Sequence, residues 1–191
     1  MAEINTGYGS PGQNIVANIC FVGVALFLLL ISLIDLKWQI IPDEATIMIA
    51  LFGLGLTLIS GSAVSFLGAG LAGISFWESP IINRLLALLV VLIILGGLIA
   101  VTRGQGMGMG DLKLALALAL LIGWPDIFFT TITAFILGAI YGVGLIVFQK
   151  SSMRSAVPFG PFLALGFLVT FWWGDAIVSA YLGFLSGFVA V

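Results

Sequence analysis

No histidine occurs in this chain, cysteine occurs once, and charge is scarce: six Lys and Arg with eight Asp and Glu make up 7% of the residues. Without an imidazole there is no Ser-His or Cys-His nucleophile, no His-ligated metal and no H-E-x-x-H zinc site. The single cysteine, Cys20, lies inside an apolar run, cannot form a disulfide within the chain and reads as a small hydrophobe. A net charge of −2 provides no basic patch to neutralise phosphates, which excludes nucleic acid as a partner. Chemistry is left to carboxylates or lysine. A Ser-Lys dyad with Lys37 or Lys113 as base lacks a serine beside either lysine in the sequence.

What the chain has in excess is apolar surface. At 62% hydrophobic residues it exceeds what a soluble domain of this length could carry on its exterior, and it predicts an all-α, polytopic membrane helical bundle. Uncharged runs cover Ile15–Ile34, Ala45–Trp77, Leu85–Thr102, Leu114–Trp124, Ile127–Phe148, Val157–Trp173 and Ile177–Val191. About 20 residues cross the hydrocarbon, so most of these runs are one crossing or somewhat less. The first is too long for a signal-peptide core and lacks a basic n-region and a cleavage site, so it reads as a retained helix. Residues 1–14 read as a flexible polar end and residues 15–191 as a single integral-membrane domain.

Ala45–Trp77 is longer than one crossing needs. It is broken at Ser60-Gly61-Ser62 and continues through Gly68, Gly70 and Gly73 as a short crossing, a re-entrant piece or an interfacial helix. Charge favours a piece that does not cross. Asp35 and Asp111 then share one side with Lys37, Arg103, Lys113, Lys150 and Arg154, leaving only Arg84 opposite. By the positive-inside rule the shared side is the cytoplasm. The expectation is about six core transmembrane helices, with Ile177–Val191 outside that count.

The acids divide by position. Ile41-Pro42-Asp43-Glu44 is a helix start, with acids where the helix dipole is positive, so Asp43 and Glu44 read as structural. Asp126 and Asp175 read as caps or solvated loop acids. Asp111 is open to two readings, a functional acid or the N-cap of a helix beginning near Leu112. Asp35 closes an apolar run at the negative end of a helix dipole, where capping offers no reason for it; the bland alternative is a solvated acid beside Lys37. Two acids at two membrane-helix ends point to acid–base chemistry, or to a proton- or cation-coupled transporter using intramembrane aspartates.

Gly104, Gly106, Gly108 and Gly110 alternate ahead of Asp111 but do not match the G-x-G-x-x-G phosphate loop. Their spacing suits close approach of a second backbone, as when an extended peptide adds itself to the loop as a strand. Gly108, Gly110 and Lys113 are the candidate substrate-binding residues. Gly138 and Gly142 read instead as helix-packing glycines.

Three segments together resemble a known family: Asp35-Leu-Lys-Trp-Gln-Ile-Ile-Pro42-Asp43, Gly106-Met-Gly108-Met-Gly110-Asp111-Leu-Lys113-Leu114, and Val157-Pro-Phe-Gly160-Pro-Phe-Leu-Ala-Leu-Gly166. In order and spacing they are similar to the signatures of the type IV prepilin peptidases, the GxGD-type membrane aspartic proteases. The resemblance runs from Ile15 to Trp173 and implies an endopeptidase that removes the short basic leader of prepilins or pseudopilins at the cytoplasmic membrane face. It implies Asp35 and Asp111 as the catalytic pair, with no metal and no cofactor. Many members also carry an N-terminal helix and a cytoplasmic domain with paired CxxC motifs, and N-methylate the new terminus. This chain starts at the Asp-bearing helix without such cysteines, so N-methylation is not expected of it.

Overall fold

The computed structural model describes residues 11–60, 79–148 and 158–189, and its regular structure there is entirely helical. In chain order these are α1 (Pro11–Trp38), α2 (Asp43–Ser60), α3 (Pro80–Val91), a π-helical turn (Leu92–Gly96), α4 (Gly97–Thr102), α5 (Met109–Ile122), α6 (Asp126–Val147) and α7 (Gly160–Val189). The α3, π and α4 segments form one rod, Pro80–Thr102. Among the described residues four helices are long and apolar enough to cross a membrane: Phe21–Trp38, Pro80–Thr102, Asp126–Leu145 and Gly160–Tyr181. The flexible end expected at residues 1–14 falls largely outside the described residues, and the Gly-rich piece after Gly61 lies outside them up to residue 78.

Helix α5 organises the bundle. Only 14 residues long, it reaches about 21 Å at 1.5 Å per residue, short of the roughly 30 Å of hydrocarbon. Leu112, Leu114, Ala115, Leu118, Ala119, Leu121 and Ile122 are all buried, so it is apolar on every side. It packs against α2, α3, α6 and α7, while α1 lies on α7 and α6 pairs with α7 along most of its length. The outer faces stay apolar and exposed, as at Leu26, Leu33, Ile47, Ile93 and Ile140, which suits lipid. Several hydroxyls inside the bundle return to their own helix, Ser32 to the Leu28 carbonyl, Thr57 to Gly53 and Thr131 to Ile127, while Thr130 donates across to Thr170. These donors are thereby satisfied away from water.

Two glycines set the helix spacing. A Cβ at Gly53 of α2 would lie 2.5 Å from the Leu121 Cα of α5, and one at Gly166 of α7 would run into the Thr130 carbonyl of α6. These, rather than the Gly138–Gly142 pair expected from spacing, carry the close approach. Gly138 has Phe162 at 3.6 Å and Gly142 faces open space.

Other boundaries also differ from those expected. The break anticipated around Asp175 is absent: α7 continues through it, with Asp175 exposed on the helix, so Ile177–Val189 extends the same rod. An apolar helix has no reason to stop at one acid that can reach the outside. Asp126 is not a solvated acid but the fully buried first residue of α6. Around it lies a polar cluster. Asn83 donates from Nδ2 to the Trp124 carbonyl at 2.7 Å and accepts the Trp124 N–H at Oδ1, 3.0 Å. Arg84, buried, donates from Nε to Thr57 at 3.1 Å. Gly123, at φ +72°, turns the chain between α5 and α6 directly over the Asn83 and Arg84 side chains.

Candidate active site

The three sequence signatures converge at the end of the bundle opposite that cluster. Helix α1 runs one turn past Asp35 to Trp38 and closes with Gln39 in the left-handed region, its N–H on the Asp35 carbonyl at 2.8 Å. Asp35 is therefore inside the last turn rather than at its tip, and it is 4% exposed. Its Oδ2 accepts the Gly160 N–H of α7 at 3.1 Å.

Asp111 is not the N-cap. Gly108 is, in extended backbone, and α5 starts at Met109, which puts Asp111 at the third helical position. From there its Oδ2 reaches back to the Gly108 N–H at 3.3 Å, the acid half of a capping box. The connection from α4 bends through Arg103 and Gly104, both left-handed, and Met107 is buried beneath it. Asp111 is 9% exposed and near enough to Asp35 to feel its charge. Two acids distant in sequence thus come into each other's neighbourhood, each held by a backbone N–H, Asp35 by Gly160 and Asp111 by Gly108.

Of the candidate substrate-binding residues, Gly108 is exposed and Gly110 partly so. A Cβ at Gly110 would press on Ile41 at 3.3 Å, so this glycine brings the α5 start against the α1–α2 connection. Lys113, two residues beyond Asp111, points to another face and pairs with Asp43 of α2, Nζ to Oδ1 2.8 Å and Oδ2 2.9 Å, both side chains exposed. Beneath that pair an apolar cleft of about 310 Å³ opens between α2 and α5, lined by Thr46, Ile47, Ala50, Leu116, Ala117 and Leu120. The sequence reading had no role for Gly160. Its position in the third signature, between two prolines just before an apolar run, was the available signal.

The bundle thus buries two aspartates near one another at one end, where hydrocarbon makes ionised carboxylates costly. The chain belongs to the type IV leader peptidase family, whose model matches residues 22–143 and so includes Asp35 and Asp111. It is 30% identical over 176 residues to the prepilin leader peptidase/N-methyltransferase of Aeromonas salmonicida, covering 91% of this chain and 54% of that protein. It is 31% identical over 162 residues to the protein of the same name from Stutzerimonas stutzeri, covering 82% of this chain and 50% of that protein. The Legionella pneumophila protein of that name is 35% identical over 63 residues, 33% of this chain and 22% of that protein. The chain spans about half the length of the first two relatives. No solved structure matches it. Nothing in the family or these relatives supports the transporter alternative.

Proposed function

We propose that this chain is an integral-membrane aspartic endopeptidase that removes the leader of type IV prepilins or pseudopilins at the cytoplasmic face of the plasma membrane. The observation that supports it is the burial of Asp35 and Asp111 close together at one end of the bundle, each accepting a backbone N–H. Two close carboxylates resist double ionisation and share a proton. The ionised one takes a proton from water, the protonated one gives its proton to the scissile carbonyl, and water attacks without a covalent enzyme intermediate. An extended leader laid along Gly108 and Gly110 would bring its carbonyl to the pair, with Lys113 at the edge of that path. The N-methyltransferase half of the relatives' names is not carried over.

Cytoplasmic placement rests on Lys37, Arg103 and Lys113 lying at the acid end while Arg84 lies at the other. Lys150 and Arg154 lie outside the described residues. Purified protein in detergent, mixed with a prepilin whose basic leader ends in Gly before an apolar helix, should release that leader as a single peptide by mass spectrometry. An intact substrate would refute the reading. Single cysteines near Lys37 and Arg103, in a Cys20→Ala background, should label from the cytoplasmic side; labelling from opposite sides would break the shared site.

A further inference from the structure

We propose that Gly160 is the positioning residue of the acid pair: its backbone N–H holds the Asp35 carboxylate in place, and its missing side chain is what leaves that carboxylate room beside Asp111. The proposal rests on the peptidase reading and goes beyond it by giving the third signature a task. The first N–H groups of a helix lack a full set of partners within the helix. Pro161 has none to offer. The Phe162 and Leu163 N–H groups both turn to the Phe159 carbonyl, at 3.0 and 3.1 Å. Gly160 alone keeps a free donor, and it points at Asp35 Oδ2, 3.1 Å away and buried.

The need for glycine here is one of space. Gly160 is not among the glycines with positive φ, so its backbone conformation is open to other residues. A Cβ, however, would lie 2.6 Å from Asp35 Oδ2 and 3.3 Å from its Cγ. Any side chain would push the Asp35 carboxylate off the N–H and away from Asp111. The α7 terminus also adds its partial positive charge where two acids are crowded. Gly160 touches neither water nor the scissile bond in this scheme; it acts through the acids.

The test removes the donor without adding bulk. Incorporating glycolic acid at position 160 of the full-length protein by nonsense suppression replaces the N–H with an ester oxygen. The same change makes the Phe159 carbonyl an ester and a weaker acceptor for the Phe162 and Leu163 N–H groups, so a small loss of helix stability accompanies it. The kcat for leader release should fall about 10- to 100-fold, as for loss of one hydrogen bond to a charged acceptor, with KM within about twofold and thermal unfolding lowered no more than by the control ester at Phe162. Gly160→Ala should fall further. A control ester at Phe162, which removes the bond to Phe159, should lower thermal stability but spare kcat. Equal kcat for wild type and the 160 ester, or an equal loss from the 162 ester, overturns the proposal. Infrared spectra of the same samples provide an arm independent of activity. The carboxyl region should differ between wild type and the 160 ester, and that difference should vanish in an Asp35→Asn background. Identical spectra overturn the proposal whether or not leader is cleaved. Failure of the wild type to cleave refutes the peptidase reading alone, and the infrared result then decides the role of Gly160.

Discussion

At the end of the bundle where α1 closes and α5 and α7 open, Asp35 accepts the Gly160 N–H and Asp111 the Gly108 N–H; at the opposite end Asn83 and Trp124 exchange two hydrogen bonds and Arg84 donates to Thr57. Both ends bury polar groups that hydrocarbon penalises. They differ in matching. The Asn83 amide offers one donor and one acceptor to a backbone that needs one of each, so the contact is complete and locks the α5–α6 turn to α3. At the acid end two like-charged carboxylates share backbone donors from Gly108 and Gly160, leaving acceptors in surplus. Such a site is relieved by a proton or by a substrate. Burial of polar groups is common to structural and reactive clusters, and the balance of donors against acceptors tells them apart.

The largest effect expected from breaking this contrast is at the acids. Asp35→Asn and Asp111→Asn should each lower leader release by about 10²–10⁴-fold, since Asn keeps the shape and an acceptor for the N–H groups but cannot exchange the proton. Thermal unfolding in detergent should be unchanged or shifted upward, because like-charge crowding is removed. A folded mutant that cleaves at the wild-type rate would remove that acid from the mechanism.

The opposite end should respond in the opposite sense. Asn83→Ala removes two hydrogen bonds to the part-buried Trp124 backbone and should destabilise by about 1–3 kcal/mol, read as a lower unfolding midpoint. Cleavage per folded molecule should stay within about twofold. A selective loss of kcat would join the two ends functionally and defeat the contrast.

The smallest effect belongs to the exposed pair beside the site. Asp43→Asn frees Lys113 from an ion pair whose side chains are 60% and 51% exposed, and should cost no more than about 1 kcal/mol. Titration with substrate would show any influence of Lys113 as a change in KM, with kcat retained.

Much of this could be read along the chain because the relevant physics is local. The glycines before Asp111, the Pro42 ahead of α2 and the apolar runs announce turns, helix starts and spans within a few residues of themselves. The misreadings came where distant groups decide. Asp126 reads from sequence as a cap or a solvated loop acid, and the fold buries it fully at the start of α6, near the turn where α3 brings Asn83 and Arg84 against Gly123. The Gly138–Gly142 spacing matched a packing motif, yet the contacts fell to Gly53 and Gly166, since which face of a helix meets a neighbour depends on the rotation of both.

The sequence by itself determined a helical membrane protein, since composition leaves lipid as the only tolerable surroundings, and the absence of histidine narrows the candidate reactive groups to carboxylates and lysine. Only the tertiary structure decided that Asp35 and Asp111 lie near each other, that Asp111 sits inside its helix rather than capping it, and that the Gly160 N–H of α7 reaches Asp35. These facts join three helices remote in sequence, and a proximity of that kind is set by packing around α5, which no single segment encodes.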